Sequence, residues 1–378
     1  MRKIVVASDS FKGSLSSREV AVAFAEGWGS VMPDCEVRGV AIADGGEGSV
    51  EALVDTLGGE YVTVAVADPL GRPVEARYGV VAGDIAIIEM SSASGLTLLA
   101  HDERNPMLTS TYGTGELIAD ALRRGCRRLR ICIGGSATND GGMGMLRALG
   151  FRLLDAAGRE LLGRGSDLVR LAQIDDSGML STLRDAEIVV ACDVDNVLYG
   201  EQGAAVVYAP QKGADGAMVE LLDRGLRNYA DVVARYCCRD VSMVSGAGAA
   251  GGMGAGFMAV LGARLERGVE MILGTMDFDG IIAGCDLVVT GEGRIDSQTV
   301  MGKAPSGVLR AAMRQGIDVV AIGGSVAWCE ALRDSGFKRI YAIADPSRPL
   351  EELMRCDIAR ENIRNTAACI ARQMSTML

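Results

Sequence analysis

Histidine is almost missing from this 378-residue chain: His101, within LLAHDER, is the only one. A Ser-His-Asp hydrolase or a histidine-ligated metal centre would have to rest on that single side chain, which argues against both and places His101 at the surface. Aromatic residues make up only 4% of the chain, and no apolar run approaches the roughly 18 residues of a membrane-spanning helix. The opening MRKIVVASDS carries too short an apolar run for a secretory signal, so a cytoplasmic location is expected. Ten cysteines occur without any C-x-x-C spacing and mostly in apolar contexts, which predicts reduced thiols rather than disulfides or zinc. A net charge of −11 leaves no basic face for nucleic acid or an anionic membrane.

Lysine is scarce as well. Lys3, Lys12, Lys212, Lys303 and Lys338 are the only ones among 38 basic residues. Three of them sit beside glycine, in Lys12-Gly13, Lys212-Gly213 and Gly302-Lys303. A compact ammonium next to a residue without a side chain can act as a point charge on phosphate or carboxylate. What the chain has in abundance is glycine, 50 residues, within a composition that is 49% hydrophobic with mean hydropathy +0.22. The length predicts two domains with a large buried core.

Along the chain, strand Lys3–Ser8, loop Asp9–Ser14 and a helix opened by a Ser16/Glu19 capping box are followed by a second strand and the loop Asp44–Gly48. Strand, loop and helix recurring in that order predict a parallel, doubly wound α/β unit. From about Val62 the style changes to successive strands without helices between them, which suits antiparallel pairing. The βαβ rhythm returns after Asp286. The expected organisation is one discontinuous domain, residues 1–70 plus 286–378, with a second α/β domain, 71–285, inserted into it.

Polar loops at the ends of buried strands carry the chemistry. In DLVVTGEGRIDSQTVMGKAP (286–305) an apolar strand opens onto Gly291-Glu292-Gly293, Arg294, Asp296 and Lys303, which suggests a phosphoryl-transfer site. Gly302-Lys303 lacks the remaining glycine and hydroxyl of a P-loop. Gly134–Gly142 places Ser136, Thr138, Asn139 and Asp140 among glycines before a helix, a ready anion site. Asp193-x-Asp195 suits Mg²⁺ or a general base, and its D-x-D-x-V pattern also looks like a haloacid-dehalogenase-type phosphatase. Gly246-x-Gly248-x-x-Gly251 raises an NAD-dependent dehydrogenase, although no strand ending in an acidic residue follows at the right distance. A non-catalytic small-anion-binding protein is the remaining alternative.

Taken together, DSFKGS (9–14), ADGGEGS (43–49), GGSATNDGG (134–142), ACDVDN (191–196), PQKGA (210–214), GAGAAGG (246–252) and TGEGRIDSQT…GKAP (290–305) resemble the bacterial type-1 glycerate kinases along essentially the whole chain. Ser49, where threonine is usual, is a mild departure. The resemblance implies a flavodoxin-like doubly wound domain interrupted by an inserted, restriction-endonuclease-like α/β domain, with the site in the cleft between them. It implies ATP-dependent phosphorylation of D-glycerate, at the 2-hydroxyl, with Mg²⁺; a homodimer is allowed. The expected catalytic groups are Lys12, Asp193, Asp296 and Lys303. Gly134, Gly135, Ser136 and Lys212 are expected at the nucleotide, and Ser10, Lys12, Asp44, Gly45, Gly46 and Arg294 at the substrate. Asp193, Asp195 and Glu292 are the expected metal ligands.

Overall fold

A parallel five-stranded sheet draws together the two ends of the chain. A computed structural model describes residues 3–345 and 347–375. In sheet order the strands are Glu36–Ala41, Lys3–Ser8, Leu287–Ile295, Val319–Val326 and Arg339–Ala342, and every neighbouring pair is parallel. Counted in chain order within this sheet, the sequence of strands is 2-1-3-4-5, so the direction of winding reverses between Lys3–Ser8 and Leu287–Ile295. Ligands of open parallel sheets bind outside the carboxyl ends of the strands at such a reversal.

Local sequence explains the helix that covers this sheet. Helix Ser17–Gly29 starts with the predicted capping box, the Ser16 side chain accepting from the Glu19 N–H while the Glu19 side chain returns to Ser16. Val20, Phe24 and Trp28, spaced four apart, form its buried face, and the Phe24 and Trp28 rings stack at 5.9 Å. Gly27 meets helix Cys356–Ser375 so closely that a Cβ there would stand 2.1 Å from the Arg364 carbonyl oxygen.

The chain forms two units: residues up to Asp44 with those from Ile272 onward, and Gly45–Met271. Both boundaries fall earlier than the sequence rhythm suggests. Residues 45–70 belong to the second unit because strand Glu60–Ala67 pairs antiparallel with Pro73–Val81 along its whole length. The return begins within helix Gly268–Thr275, before the strand at Leu287.

The second unit is built on a mixed sheet. Its strands run Arg264–Glu266, Glu187–Ala191, Arg128–Cys132, Ile85–Glu89, Pro73–Val81 and Glu60–Ala67 in sheet order. The first four are mutually parallel, while Pro73–Val81 pairs antiparallel with Ile85–Glu89 and Glu60–Ala67 antiparallel with Pro73–Val81, as the shift in pattern near Val62 suggests. Parallel pairing puts the loops after Cys132, Ala191 and Glu266 on one edge. A short hairpin, Arg152–Asp155 with Leu171–Asp175, and strand Arg264–Glu266 were not anticipated from sequence; all three are four or five residues long or shorter, too brief for a periodic signal. His101 is exposed, all ten cysteines are free thiols, and no helix among the described residues is long and apolar enough to cross a membrane.

Gly27 supplies a test of the helix packing. In an exposed helix Gly→Ala gains about 1 kcal/mol. Here the added methyl enters a backbone carbonyl, and overpacking costs about 1–3 kcal/mol. Urea unfolding of Gly27→Ala should therefore show a lower midpoint at unchanged m-value; a higher midpoint would mean that the two helices do not touch as described.

Candidate functional site

The switch point of the first unit opens into a cavity of about 650 Å³. Its polar end is built from three successive strand ends. The loop after Lys3–Ser8 contributes Asp9, Ser10 and Lys12; the end of the next segment contributes Asp44; Leu287–Ile295 and the turn beyond contribute Glu292, Arg294 and Lys303. Leu287–Ile295 runs on through Gly291–Arg294 as a strand, where the sequence suggests a loop. The neighbouring strand Val319–Val326 extends the ladder, pairing Glu292 with Gly323 and Arg294 with Ser325. Glu292 and Arg294 are thereby fixed to rigid backbone.

Electrostatics within this cavity are finely balanced. Glu292, 10% exposed at its side chain, accepts from the Thr299 hydroxyl at 2.6 Å and pairs with Lys303 at 3.5 Å. Burial raises its carboxyl above the ordinary range, while Thr299 and Lys303 pull it back. Asp9 is pushed up to about 6, chiefly by burial and then by the charge of Asp44, with the Ser10 N–H and Lys12 opposing and Glu292 adding to the rise. Its Oδ1 accepts the Ser10 N–H at 2.6 Å. A carboxylate with that affinity for protons in a cavity with cations is suited to accept a proton near neutral pH. Asp9 was not among the residues singled out from sequence, although its place just past a buried strand and three before Lys12 was a usable signal. Asp296 lies outside the cavity lining; its backbone N–H donates to Thr299 and its carboxylate pairs with Arg294 at 3.4 Å.

In the second unit the expected anion loop is held from behind. Gly134 and Gly135 are exposed, whereas Ser136 to Asp140 are buried. Lys212 is only 2% exposed; its ammonium donates to the Ser136 hydroxyl at 2.7 Å and to the Thr138 carbonyl at 2.6 Å. It therefore buttresses the loop rather than reaching into solvent for a phosphate. Asp140, fully buried, accepts from the N–H groups of Thr111, Gly142 and Gly144 and from the Thr111 hydroxyl. Burial raises its carboxyl and these donors oppose the rise. Thr111, 29 residues away, gave no sign of this role in the sequence.

The Gly246–Gly252 stretch packs on the same loop. A Cβ at Gly251, whose φ is +69°, would stand 2.2 Å from the Thr138 carbonyl oxygen, and the Gly141 N–H donates to the Gly251 carbonyl. Its glycines thus serve close backbone approach. On the adjoining strand ends, Asp193 accepts the Gly268 N–H at 3.0 Å, and both oxygens of Asp195 accept from Arg267 at 3.0 Å with a further bond from Ser245. Gly45, with φ +86°, is pressed against Gly268 and Ala191, while Gly46 lies beside Gly134. Among the described residues no three acidic, cysteine or histidine side chains converge as a metal cage, and Asp193 and Asp195 are engaged as stated.

Cations and carboxylates converging at the switch point of a parallel sheet are the arrangement in which open α/β enzymes take up small ligands. The model of the glycerate kinase family matches residues 4–375. The chain is 47% identical over 371 residues to a glycerate kinase of Bacillus subtilis, covering 98% of this chain and 97% of that protein. It is 44% identical over 375 residues to the glycerate 2-kinase of Escherichia coli K12, with 98% of each chain covered. A crystal structure described as glycerate kinase 2 from Salmonella typhimurium LT2 superposes with a TM-score of 0.91 at 45% identity, over 99% of this chain and 98% of the other. The chain belongs to the glycerate kinase family, and with it to the phosphotransferases.

Lys212 provides the second test. Burial pushes its ammonium down to about 7, the charge of Asp140 opposing. An unfolded lysine titrates near 10.4. Between those values the unfolded chain holds the additional proton, so this group makes stability rise as pH increases across the window. Compared by urea unfolding at pH 7 and pH 9.5, the wild-type chain should gain more than about 1 kcal/mol relative to Lys212→Met. Parallel pH dependences in the two proteins would show that Lys212 is not enclosed.

Proposed function

We propose that this chain transfers the γ-phosphoryl group of ATP to D-glycerate, at the 2-hydroxyl, releasing 2-phosphoglycerate and ADP. The observation that carries the reading is the first unit's cavity, where Lys12, Arg294 and Lys303 face Asp9, Asp44 and Glu292 at a sheet switch point. Phosphoryl transfer asks chiefly for positioning and for neutralisation of charge on the phosphoryl oxygens. Lys12 and Lys303 are assigned to that charge, and Arg294 to the phosphate or to the glycerate carboxylate. Ser10, Asp44, Gly45 and Gly46 are assigned to glycerate. The exposed peptides of Gly134 and Gly135, with Ser136, are assigned to phosphate oxygens, Lys212 holding their loop in shape.

Asp9 is the group we assign to accept the hydroxyl proton, in place of Asp193 or Asp296. Its raised proton affinity and its place in the cavity favour it, whereas Asp296 lies outside the lining. Mg²⁺ is ordinarily held by one or two carboxylates together with phosphate oxygens, so the donor set of Asp44 and Glu292 fits it. Bound there it would neutralise phosphate charge. Asp193 and Asp195 are kept as residues that order the second unit's strand ends. The flavodoxin-like description of the first unit rests on its 2-1-3-4-5 strand order. The restriction-endonuclease-like description of the second is carried as part of the same proposal, as is a cytoplasmic location.

A coupled assay for ADP with D-glycerate, followed by NMR of the product, tests the reading. ADP formation dependent on glycerate is expected, with phosphorus on the 2-oxygen. Lys12→Ala and Lys303→Ala should each lower kcat/KM by roughly 10²–10³. The acid limb of kcat/KM should fall near pH 6, where Asp9 titrates in the free enzyme. No ADP formation with glycerate or any other hydroxy acid would overturn the assignment.

A further inference from the structure

Beyond its charged end, the first unit's cavity is apolar. The wall comes from the carboxyl ends of the last two strands in the chain, with Val326 and Trp328 at the end of Val319–Val326 and Ile343 after Arg339–Ala342, and from Leu353 and Met354 of the segment that follows. Trp328 is 57% exposed, although large aromatic side chains are ordinarily buried unless something stacks on them. Met354 lies against the loop that carries Lys12: a Cβ at Gly13 would stand 2.9 Å from the Met354 Cε. The absence of a side chain at Gly13 lets the apolar wall run directly up to the cations. Asn362 lines this same end, and its side-chain amide bonds to no described residue.

Size and polarity must both be accounted for. About 650 Å³ is room for a ligand of nucleotide dimensions, and far exceeds a three-carbon acid. Glycerate carries no apolar surface for such a wall to cover. The charged end and the apolar end together match a molecule that has phosphates at one extremity and a flat aromatic ring at the other.

The geometry points to the apolar end of this cavity as the subsite for the purine base of the phosphate donor. The base stacks on Trp328 and Met354 between Val326 and Leu353, and Asn362 meets its polar edge. The sugar then lies over Gly13 and the phosphates run toward Lys12 and Lys303. This assignment rests on the ATP-dependent reading above. It adds that the base is held by the first unit, whichever loop receives the terminal phosphate.

Binding of ADP to the full chain tests it independently of turnover. Trp28 is wholly buried, so Trp328 is the tryptophan whose emission should respond. ADP is expected to quench it, inorganic tripolyphosphate is not, and the response should vanish in Trp328→Phe. In Trp328→Ala the KM for ATP should rise about tenfold, with the KM for glycerate within twofold of wild type. Asn362→Ala should narrow the preference for ATP over GTP. Photolabelling with 8-azido-ADP should mark peptides within residues 326–362. Labelling confined to the Gly134–Gly142 peptide, or an unchanged KM for ATP in Trp328→Ala, would overturn the subsite while leaving the kinase reading intact. ADP binding at Trp328 without glycerate-dependent turnover would uphold the subsite and sink the kinase reading instead.

Discussion

The pairing of Lys3–Ser8 with Leu287–Ile295 is the constraint on which the rest of the structure depends. Ile4 lies opposite Leu287 and Ser8 opposite Gly291, and the Ser8 hydroxyl and the Asp9 N–H both donate to the Gly291 carbonyl, 283 residues away for Ser8. Closing so long an excursion is entropically tolerable, because the cost grows only with the logarithm of length. It is further eased when the excursion has a core of its own, and Gly45–Met271 does, from Val62 through Phe151 to Phe257. Once these two strands are neighbours, the winding direction must reverse between them. The loops that follow are then parted, and Asp9, Lys12 and Glu292 face a cavity instead of packing on one another.

Charge in that cavity is unsettled in a way that surface ion pairs are not. Lys338 with Asp318 and Arg355 with Asp357 are exposed pairs, screened by water and of little consequence for stability. Asp9 is instead raised first by its burial and then by the charge of Asp44, with Glu292 adding to the rise. Lys303 reaches Glu292 only at 3.5 Å, too long for a strong charge-assisted bond. Under the proposed function, such an arrangement leaves both signs available to an incoming phosphate and hydroxyl. Rigid strand backbone beneath Glu292 and Arg294 means that little reorganisation is needed when they arrive.

Much of this was legible in the sequence, and the exceptions share a cause. Strand Lys3–Ser8 and the Ser16 capping box were readable because apolar runs and cap residues act locally. The glycine-rich loop before Asp140 was readable as a strand end for the same reason. The extension of Leu287–Ile295 through two glycines was not, since only the adjacent strand's ladder specifies it. Thr111 was invisible as the partner of Asp140 because the bond joins distant segments. Residues 45–70 look like a continuation of the first unit until Glu60–Ala67 finds its antiparallel partner. The apolar wall around Trp328 was hidden likewise, being assembled from several short segments none of which is distinctive.

The three lysines beside glycine show how far composition alone can carry a functional reading. Lys12, Lys212 and Lys303 look equivalent as residues: an unusual cation, next to a flexible residue, near a loop. Packing separates them. Lys12 is exposed and the Lys303 side chain is 35% exposed, both in a cavity open to a ligand, whereas Lys212 is 2% exposed and donates to two oxygens of a single loop. An ammonium stripped of water keeps its charge only while its bonds and a neighbouring carboxylate compensate, which is why burial depresses it and Asp140 opposes. Its donors are committed to shaping the loop whose outer peptides, at Gly134 and Gly135, remain exposed. The charge of Lys212 is therefore spent on the geometry of that loop, and a substitution there should disturb shape before it disturbs electrostatics.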